Sequence, residues 1–280
     1  MTFDERKSAV QENADGADFA SVASAFDRIA ESFDDTLENE ITFRLRKQVY
    51  DVLENLAASG ATVLDINCGT GIDLLYLAEN GYQVYGTDIS PKMVALAEAK
   101  LNQHGHGGRH IQVCSFDSVS PSVTPPCDLV FSNFGGLNCT PDLERVAQSI
   151  ASVTKAGGYF VAVLMPPFSL WESISLAARR RWKEIFRRFR ASVPATGFGE
   201  TSFPVHYHSV RTTVRSFSDF FEKKQIIGLS ILSPTPQSSG FERKHPVLTR
   251  ALVKVDRMVG HFPLLRAWGD HYVLVLRRKP

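Results

Sequence analysis

One stretch constrains the chain more than any other: Thr62 to Ser90, TVLDINCGTGIDLLYLAENGYQVYGTDIS. An apolar run, Val63 to Ile66, leads into a glycine turn, Gly69-Thr70-Gly71. Leu74, Leu75, Leu77 and Ala78 then recur at helical spacing, and Asn80-Gly81 closes that helix. A second apolar run, Val84 to Thr87, ends on Asp88. Strand, tight turn, helix, strand and acid make one βαβ unit. The turn glycines lack Cβ, so the backbone bends sharply and lets a ligand come close. The helix starting near Ile72 aims its free N–H groups and positive dipole end at the turn. Asp88 stands nineteen residues after Gly69, where a carboxylate accepts both hydroxyls of a ribose. The unit therefore reads as a nucleoside-binding site.

The flanks decide which nucleoside. A dinucleotide fingerprint calls for a third glycine that permits close helix–strand packing, and here that position is Leu74. Asp65, just before the turn, would repel a pyrophosphate but suits the cationic amino group of a methionine moiety. Beyond Asp88, Ile89 and Met93 supply apolar surface for an adenine.

On these residues the chain resembles the class I S-adenosylmethionine-dependent methyltransferases, from about Ser24 to Leu164. The match lies in VLDINCGTG, TDISPKM and the acidic CSFD. Asn67 departs from the small residue usual at its position. A bacterial subgroup with N-C-G-T-G-x-D, S-N-F-G-x-L-N-C and G-D-H-Y is closely similar, without indicating an acceptor. The resemblance implies an α/β fold with a doubly wound, mostly parallel seven-stranded sheet, its last strand antiparallel, and a lid insertion after the fifth strand. It implies S-adenosylmethionine as cofactor, held by Asp65, Asn67, Cys68, Gly69, Thr70, Gly71, Asp88, Ile89, Met93, Phe116, Asp117 and Asn133. Asp117 would take the adenine amino group and Phe116 cover the ring, although Ser118 next to Asp117 equally suits a turn cap. Asn133 leaves the fourth strand at the carboxyl edge of the sheet, where ligands of open α/β sheets sit.

Composition narrows the rest. With 280 residues, 44% hydrophobic and 22% charged, the chain is an ordinary globular protein. A net charge of +1 gives no global attraction to nucleic acid. Four cysteines without paired spacing read as buried, reduced thiols, which suits a cytoplasmic location. The polar, acidic start does not have the form of a signal peptide, and no apolar run approaches the roughly 20 residues that span a bilayer. His104, His106 and His110 lie close together, but no carboxylate or cysteine completes a metal-ligand spacing, so no metal is expected.

The chain divides into a flexible tail over 1–20, a cofactor-binding core with covering helices over 21–164, a lid and acceptor-binding insertion over 165–220, and terminal strands over 221–280. AFDRIAESFDD resembles the cofactor-covering helix of ubiquinone/menaquinone-type methyltransferases and reads equally as a packing helix. Glu38 to Ala58 continues as a helix carrying Arg44 and Arg46; one of them could meet the methionine carboxylate, but both are expected to be exposed. The loop Asn133 to Asn138 lacks the N-P-P-[YF] signature of many base-N and protein-N enzymes. Leu170 to Arg190 is predicted as one amphipathic helix, with Trp171, Ile174, Ala178, Trp182, Ile185 and Phe189 opposite a crowd of arginines. It suits a lid burying its aromatic stripe, a peripheral contact with an anionic membrane, or attraction of an acidic substrate. Thr201 to Val210 alternates like a strand, making His206, Tyr207 and His208 the candidate general base or acceptor-orienting groups. Phe217 to Phe221 reads as a short helix, Lys224 to Leu232 as the sixth strand, Val247 to Val259 as a helix and His271 to Leu276 as the last strand. The expected reaction is methyl transfer to an oxygen or nitrogen of a small apolar or aromatic metabolite, with no nucleic-acid partner. A membrane-surface lipid or quinone acceptor, a nicotinamide-dependent oxidoreductase and a non-catalytic nucleotide-binding protein are the alternatives.

Overall fold

The computed structural model describes residues 19–108, 110–195 and 202–280. Its core is a seven-stranded sheet of β1 (Thr62–Asp65), β2 (Gln83–Asp88), β3 (His110–Val113), β4 (Cys127–Ser132), β5 (Thr154–Leu164), β8 (Phe221–Leu229) and β9 (His271–Arg278). The spatial order is β3-β2-β1-β4-β5-β9-β8. β1 to β5 pair in parallel, and β9 runs antiparallel to both β5 and β8. This is the sheet implied by the resemblance. Its central strands are apolar without alternation because both faces are covered by helices: Val63, Leu64, Leu129, Val130, Phe131, Val161 and Val163 are all fully buried.

Before the sheet come α1 (Phe19–Ile29), a 3₁₀ turn (Ala30–Ser32), α2 (Phe33–Leu37) and α3 (Glu40–Leu56). Asn39 caps α3 by accepting from the amides of Ile41 and Thr42. Within the wound half, α4 (Ile72–Glu79), α5 (Pro91–Gln103) and α6 (Leu143–Val153) carry the crossovers. Ser90 and Asp142 cap α5 and α6. The tail expected over 1–20 lies outside the described residues apart from Phe19 and Ala20, which are helical.

Between β5 and β8 stand α7 (Leu170–Ala178), 3₁₀ turns at Trp182–Glu184 and Arg187–Phe189, a two-stranded ribbon of β6 (Val193–Pro194) and β7 (Pro204–Val205), and α8 (Val210–Ser216). Between β8 and β9 stand α9 (Ser239–Lys244) and α10 (Pro246–Val259).

Three expectations are corrected here. The single helix over Leu170 to Arg190 ends at Ala178, and Arg180 adopts a left-handed backbone (φ 59°) that cannot continue it. Its stripe is not buried: Trp182 is 61% and Phe189 60% exposed, while Arg188, assigned to the polar face, is buried. Thr201 lies outside the described residues, and from Ser202 to Val210 the expected strand shrinks to Pro204–Val205, because each proline lacks a ladder donor and the ribbon partner is only two residues long. The helix expected over Phe217 to Phe221 lies earlier, at Val210–Ser216, where Ser209 supplies the cap, and Phe221 already opens β8.

Candidate active site

The turn after β1 is built by its glycines. Gly69 and Gly71 both have positive φ, 53° and 83°. A Cβ on Gly69 would meet nothing and project into open space, whereas one on Gly71 would strike Ala97 of α5 at 2.9 Å. The close-packing role of a third glycine is thus met at Gly71, and Leu74 is accommodated because β2 carries Gly86 beneath it. Asp88 stands at the end of β2. Its Oδ2 accepts from the Gly69 amide at 2.9 Å and its Oδ1 from the Ser90 amide at 2.9 Å. Burial raises its pKa, and those amides oppose the rise. The carboxylate therefore fixes the glycine turn while keeping further lone pairs for a ligand.

Around the turn lies a narrow cleft of about 150 Å³. Asn67, Cys68, Gly69, Thr70, Asp88, Ile89, Met93, Phe116 and Asn133 line it, as the sequence implies. Phe19 of α1 sits edge-on to Phe116 at 5.5 Å, closing the end where an adenine is expected. Asp117 is not in the lining; it pairs with Arg145 at 3.1 Å and accepts from the Ser118 hydroxyl. Gly71 acts through packing, and Asp65 lies beneath the cleft floor, 1% exposed.

The N-terminal segment is latched over this cleft. Asp27 accepts from the Ser90 hydroxyl and from the Lys92 amide. Asp34 accepts from the Thr70 hydroxyl at 2.6 Å and from Lys100 at 2.7 Å. Phe19, Val22, Phe26 and Phe33 of this segment line the cleft.

A buried charge network borders the cleft, and the sequence named only Asn133 and Arg46 of its members. Asp73, in the first turn of α4, accepts from Arg46 at 2.5 Å, from the Tyr50 hydroxyl at 2.6 Å and from the Asn133 amide at 3.1 Å. Arg46 also reaches Glu38 at 2.5 Å and lies 5.0 Å over the Phe134 ring. Burial alone would lower the pKa of Arg46; Asp73 and Glu38 outweigh it and raise it. Arg46 is 8% exposed, which corrects its expected surface position; Arg44 is half-buried and pairs with Glu242 at 2.7 Å. The signal for the network was in the chain as G-x-D at Gly71 to Asp73, but a lone acid in a first turn reads as a helix-dipole partner.

Asn67 donates to the Asn133 carbonyl at 3.1 Å, and a Cβ on Gly136 would come within 2.3 Å of it. Gly136 thus makes room for the unusual Asn67, which ties the β1 turn to the β4 loop. That loop is held in an uncommon shape, with φ of 42° at Phe134 and 78° at Gly135.

His206, Tyr207 and His208 occupy different surroundings. His208 donates its Nε2 hydrogen to the Thr140 carbonyl at 2.9 Å, and burial lowers its pKa. His206 bonds the Ala191 carbonyl through Nδ1 and is lowered likewise by burial. Both are neutral, backbone-bound groups outside the cavity lining. Tyr207 alone of the three lines the second cavity, with Arg188 5.0 Å over its ring. Burial raises its pKa despite Arg188, so the phenol keeps its proton.

That second cavity, about 480 Å³, shares Phe26, Phe33, Arg46, Phe134, Gly135 and Cys139 with the cofactor cleft. Leu176, Phe203, Val205 and Tyr207 give it apolar walls, and Arg179, Arg181, Arg187 and Arg188 lie at its lid side. Arg188 is anchored by Glu172 at 2.5 Å and Asp270 at 2.6 Å. Burial alone would raise the pKa of Asp270, but His271 and Arg188 hold it below the usual carboxylate range.

A nucleoside with a cationic tail fits the residues present. Asp65 Oδ2 and Asn67 Oδ1 are buried without a hydrogen-bond partner. Burial and Asp73 raise the pKa of Asp65 well above the ordinary value, as expected of an acid lacking its counter-charge. Residues 63–158 match the methyltransferase domain family. An uncharacterized methyltransferase of Synechocystis is 37% identical over 42% of this chain, and the match spans 54% of that relative's length. A malonyl-[acyl-carrier protein] O-methyltransferase of Serratia marcescens is 26% identical over 71% of this chain and 72% of its own. The crystal structure of an S-adenosylmethionine-dependent methyltransferase from Mesorhizobium loti superposes with a TM-score of 0.57 at 20% identity, covering 82% of this chain and 97% of that one. The chain carries the domain and has the fold of the class I S-adenosylmethionine-dependent methyltransferases. S-adenosylmethionine is the cofactor of this class.

Proposed function

We propose that the protein transfers a methyl group from S-adenosylmethionine to an oxygen or nitrogen of a small acceptor with an apolar or aromatic body. The observation that carries this reading is the shared wall of the two cavities: a nucleoside cleft opens through Phe26, Phe134, Gly135 and Cys139 into a larger, partly aromatic chamber. When bound, S-adenosylmethionine supplies an activated methyl on a sulfonium, so the protein needs chiefly to align the acceptor and exclude water, worth about 7–11 kcal/mol. Asp88, Gly69, Ile89, Met93 and Phe116 would hold the nucleoside, and Asp65, Asn67 and Asn133 the polar tail. Arg46, fixed by Asp73 and Glu38, presents a positive edge where the cavities meet. Tyr207, protonated, orients the acceptor by donating a hydrogen bond.

Among the described lining residues, Glu38, Asp73, Glu172, Glu184 and Asp270 are all paired with arginines. Neither lid histidine is free to act as a base. This favours an acceptor that arrives already deprotonated, such as a carboxylate. The O-methyltransferase named for its malonyl group among the relatives acts in keeping with such an acceptor. The chamber's size favours a small molecule over nucleic acid, and four unpaired thiols suit the reducing cytoplasm. A nicotinamide cofactor is disfavoured by Leu74, by Asp65 and by the reversed β9.

Calorimetric titration with S-adenosylhomocysteine and with NADH tests the cleft. Micromolar binding of the former alone, lost in Asp88→Ala, is expected. A preference for NADH would overturn the reading. Turnover of aromatic acids with labelled S-adenosylmethionine tests the chamber.

A further inference from the structure

The amphipathic surface element expected over Leu170 to Arg190 exists elsewhere in the fold. On α10, Val247, Ala251, Val255 and Met258, followed by Phe262 in the next turn, recur every three or four residues. That spacing places the first four on one helix face, and all five are exposed. Met258 is 72% exposed. Arg250, Lys254, Arg257 and His261 run beside this stripe, exposed as well. The helix has one acid, Asp256, and it is turned inward, accepting from the amides of Leu232 and Ser233. Nothing on the protein covers the stripe among the described residues.

The stripe continues across the surface. Past Phe262 come Leu264, 81% exposed, and Trp268. Trp268 touches Phe168 at 5.9 Å between ring centres, Phe168 touches Phe189 at 6.5 Å, and Phe189 touches Phe186 at 6.3 Å. Trp182 stands one 3₁₀ turn away, and Arg179, Arg180, Lys183 and Arg190 interleave with these rings. None of those four cations is ion-paired among the described residues. Leu170 to Ala195 holds seven lysines and arginines against two glutamates, and Ser239 to Trp268 six against two acids, in a chain whose total is +1. The positive charge is concentrated on the face that also carries the exposed apolar side chains.

We infer that this face, the outer side of α10 with the turn to Trp268 and the loop Trp182 to Phe189, docks on an anionic phospholipid bilayer. Apolar side chains flanked by cations enter the headgroup boundary while the cations meet lipid phosphates. A second copy of the chain is a poorer occupant, since a two-fold interface would set the Arg250, Lys254 and Arg257 row against itself. A nucleic-acid backbone satisfies the cations but gives Val247, Met258, Phe262 and Leu264 no apolar partner. The loop that carries Trp182 and Phe186 also supplies Arg179, Arg181 and Arg187 to the acceptor chamber. On the methyl-transfer reading above, the chamber therefore opens at the docking face, and its acceptor is an amphiphile taken from that surface.

The test is sedimentation of the full chain with vesicles of phosphatidylcholine, alone or with about one third phosphatidylglycerol. Wild type is expected to follow the anionic vesicles and to stay with neither at high salt. Arg250→Glu/Lys254→Glu is expected to weaken that binding at least about thirtyfold, and Met258→Glu/Phe262→Glu at least about tenfold. Both pairs should leave S-adenosylhomocysteine affinity unchanged, which reports folding. Equal binding to both vesicle types, or to neither, overturns the proposal. So does a solution dimer that Met258→Glu dissolves, or RNA binding that exceeds vesicle binding and ignores Phe262→Glu. Loss of S-adenosylhomocysteine binding by wild type would remove the methyl-transfer reading and leave the docking result standing.

Discussion

The cofactor half and the lid half of this molecule spend charge in opposite ways. At the cleft, Asp73, Arg46 and Glu38 are buried or half-buried side by side and tied to Tyr50 and Asn133 by hydrogen bonds, with Asp65 buried near Asp73. Around the lid, Arg179, Arg180 and Arg190 are exposed and have no ion-pair partner among the described residues, and Trp182, Phe186 and Phe189 are exposed with them. Arg181 and Arg187 pair with Glu184 and Glu172, and the buried Arg188 fastens the lid to Asp270 before β9. Burying charge is costly unless every partner is in place, so the first arrangement permits one geometry. The second leaves side chains free to meet something else. On the proposed reading the cleft is a preorganised receptor, and the lid is a surface whose exposed cations stay available.

The following substitutions break or sharpen that contrast. Asp270→Asn removes the lid's anchor and leaves Arg188 buried beside Glu172 alone. It should cost about 3–5 kcal/mol in chemical unfolding, with S-adenosylhomocysteine affinity little changed if the folded fraction is corrected for. Because Asp270 is held below its unfolded value of about 3.9, its contribution is complete above that pH and disappears as pH falls through the depressed folded value. A lid-opening transition confined to strongly acid solution, absent in the variant, would show it. Asp88→Ala acts on the receptor side, removing two charge-assisted acceptors. Calorimetry should record about a hundredfold weaker S-adenosylhomocysteine binding.

Asp65→Asn separates stability from binding. The folded pKa of Asp65 is raised, so the carboxylate destabilises the empty protein as pH rises above its unfolded value. The variant's melting temperature at neutral pH should exceed wild type's, while affinity for the ammonium-bearing ligand falls roughly tenfold. Wild-type affinity should also increase with pH as Asp65 loses its proton, and the asparagine variant should lack that slope. The smallest effect is expected at His206→Ala, since the ring only bonds the Ala191 carbonyl. Turnover should change by less than about threefold; a much larger loss, with a shifted pH profile, would restore the histidine to a catalytic role.

Much of the receptor half was legible before any coordinates. Gly69, Gly71 and Asp88 serve local geometry within one βαβ unit, so spacing alone places them. Asp117 misled because a carboxylate after a strand suits an adenine or a turn equally, and only Arg145, arriving from α6, takes it. Arg46 was ambiguous for a related reason: its partners Glu38 and Asp73 lie on different elements. In the lid, periodicity suggested one helix across Arg180, where the backbone turns left-handed. The helix with an exposed apolar stripe proved to be α10, whose pattern in sequence is that of any packing helix.

The sequence by itself determined the parallel unit, the glycine turn and the ribose acid, because each depends on contacts within a few tens of residues. Tertiary structure alone decided which charges are buried together, which of His206, Tyr207 and His208 reaches the chamber, and which apolar faces stay open. Those outcomes rest on partners distant in the chain, such as Asp270 for Arg188 and Asn133 for Asp73. Burial is a property of the assembled surface, and no local pattern carries it.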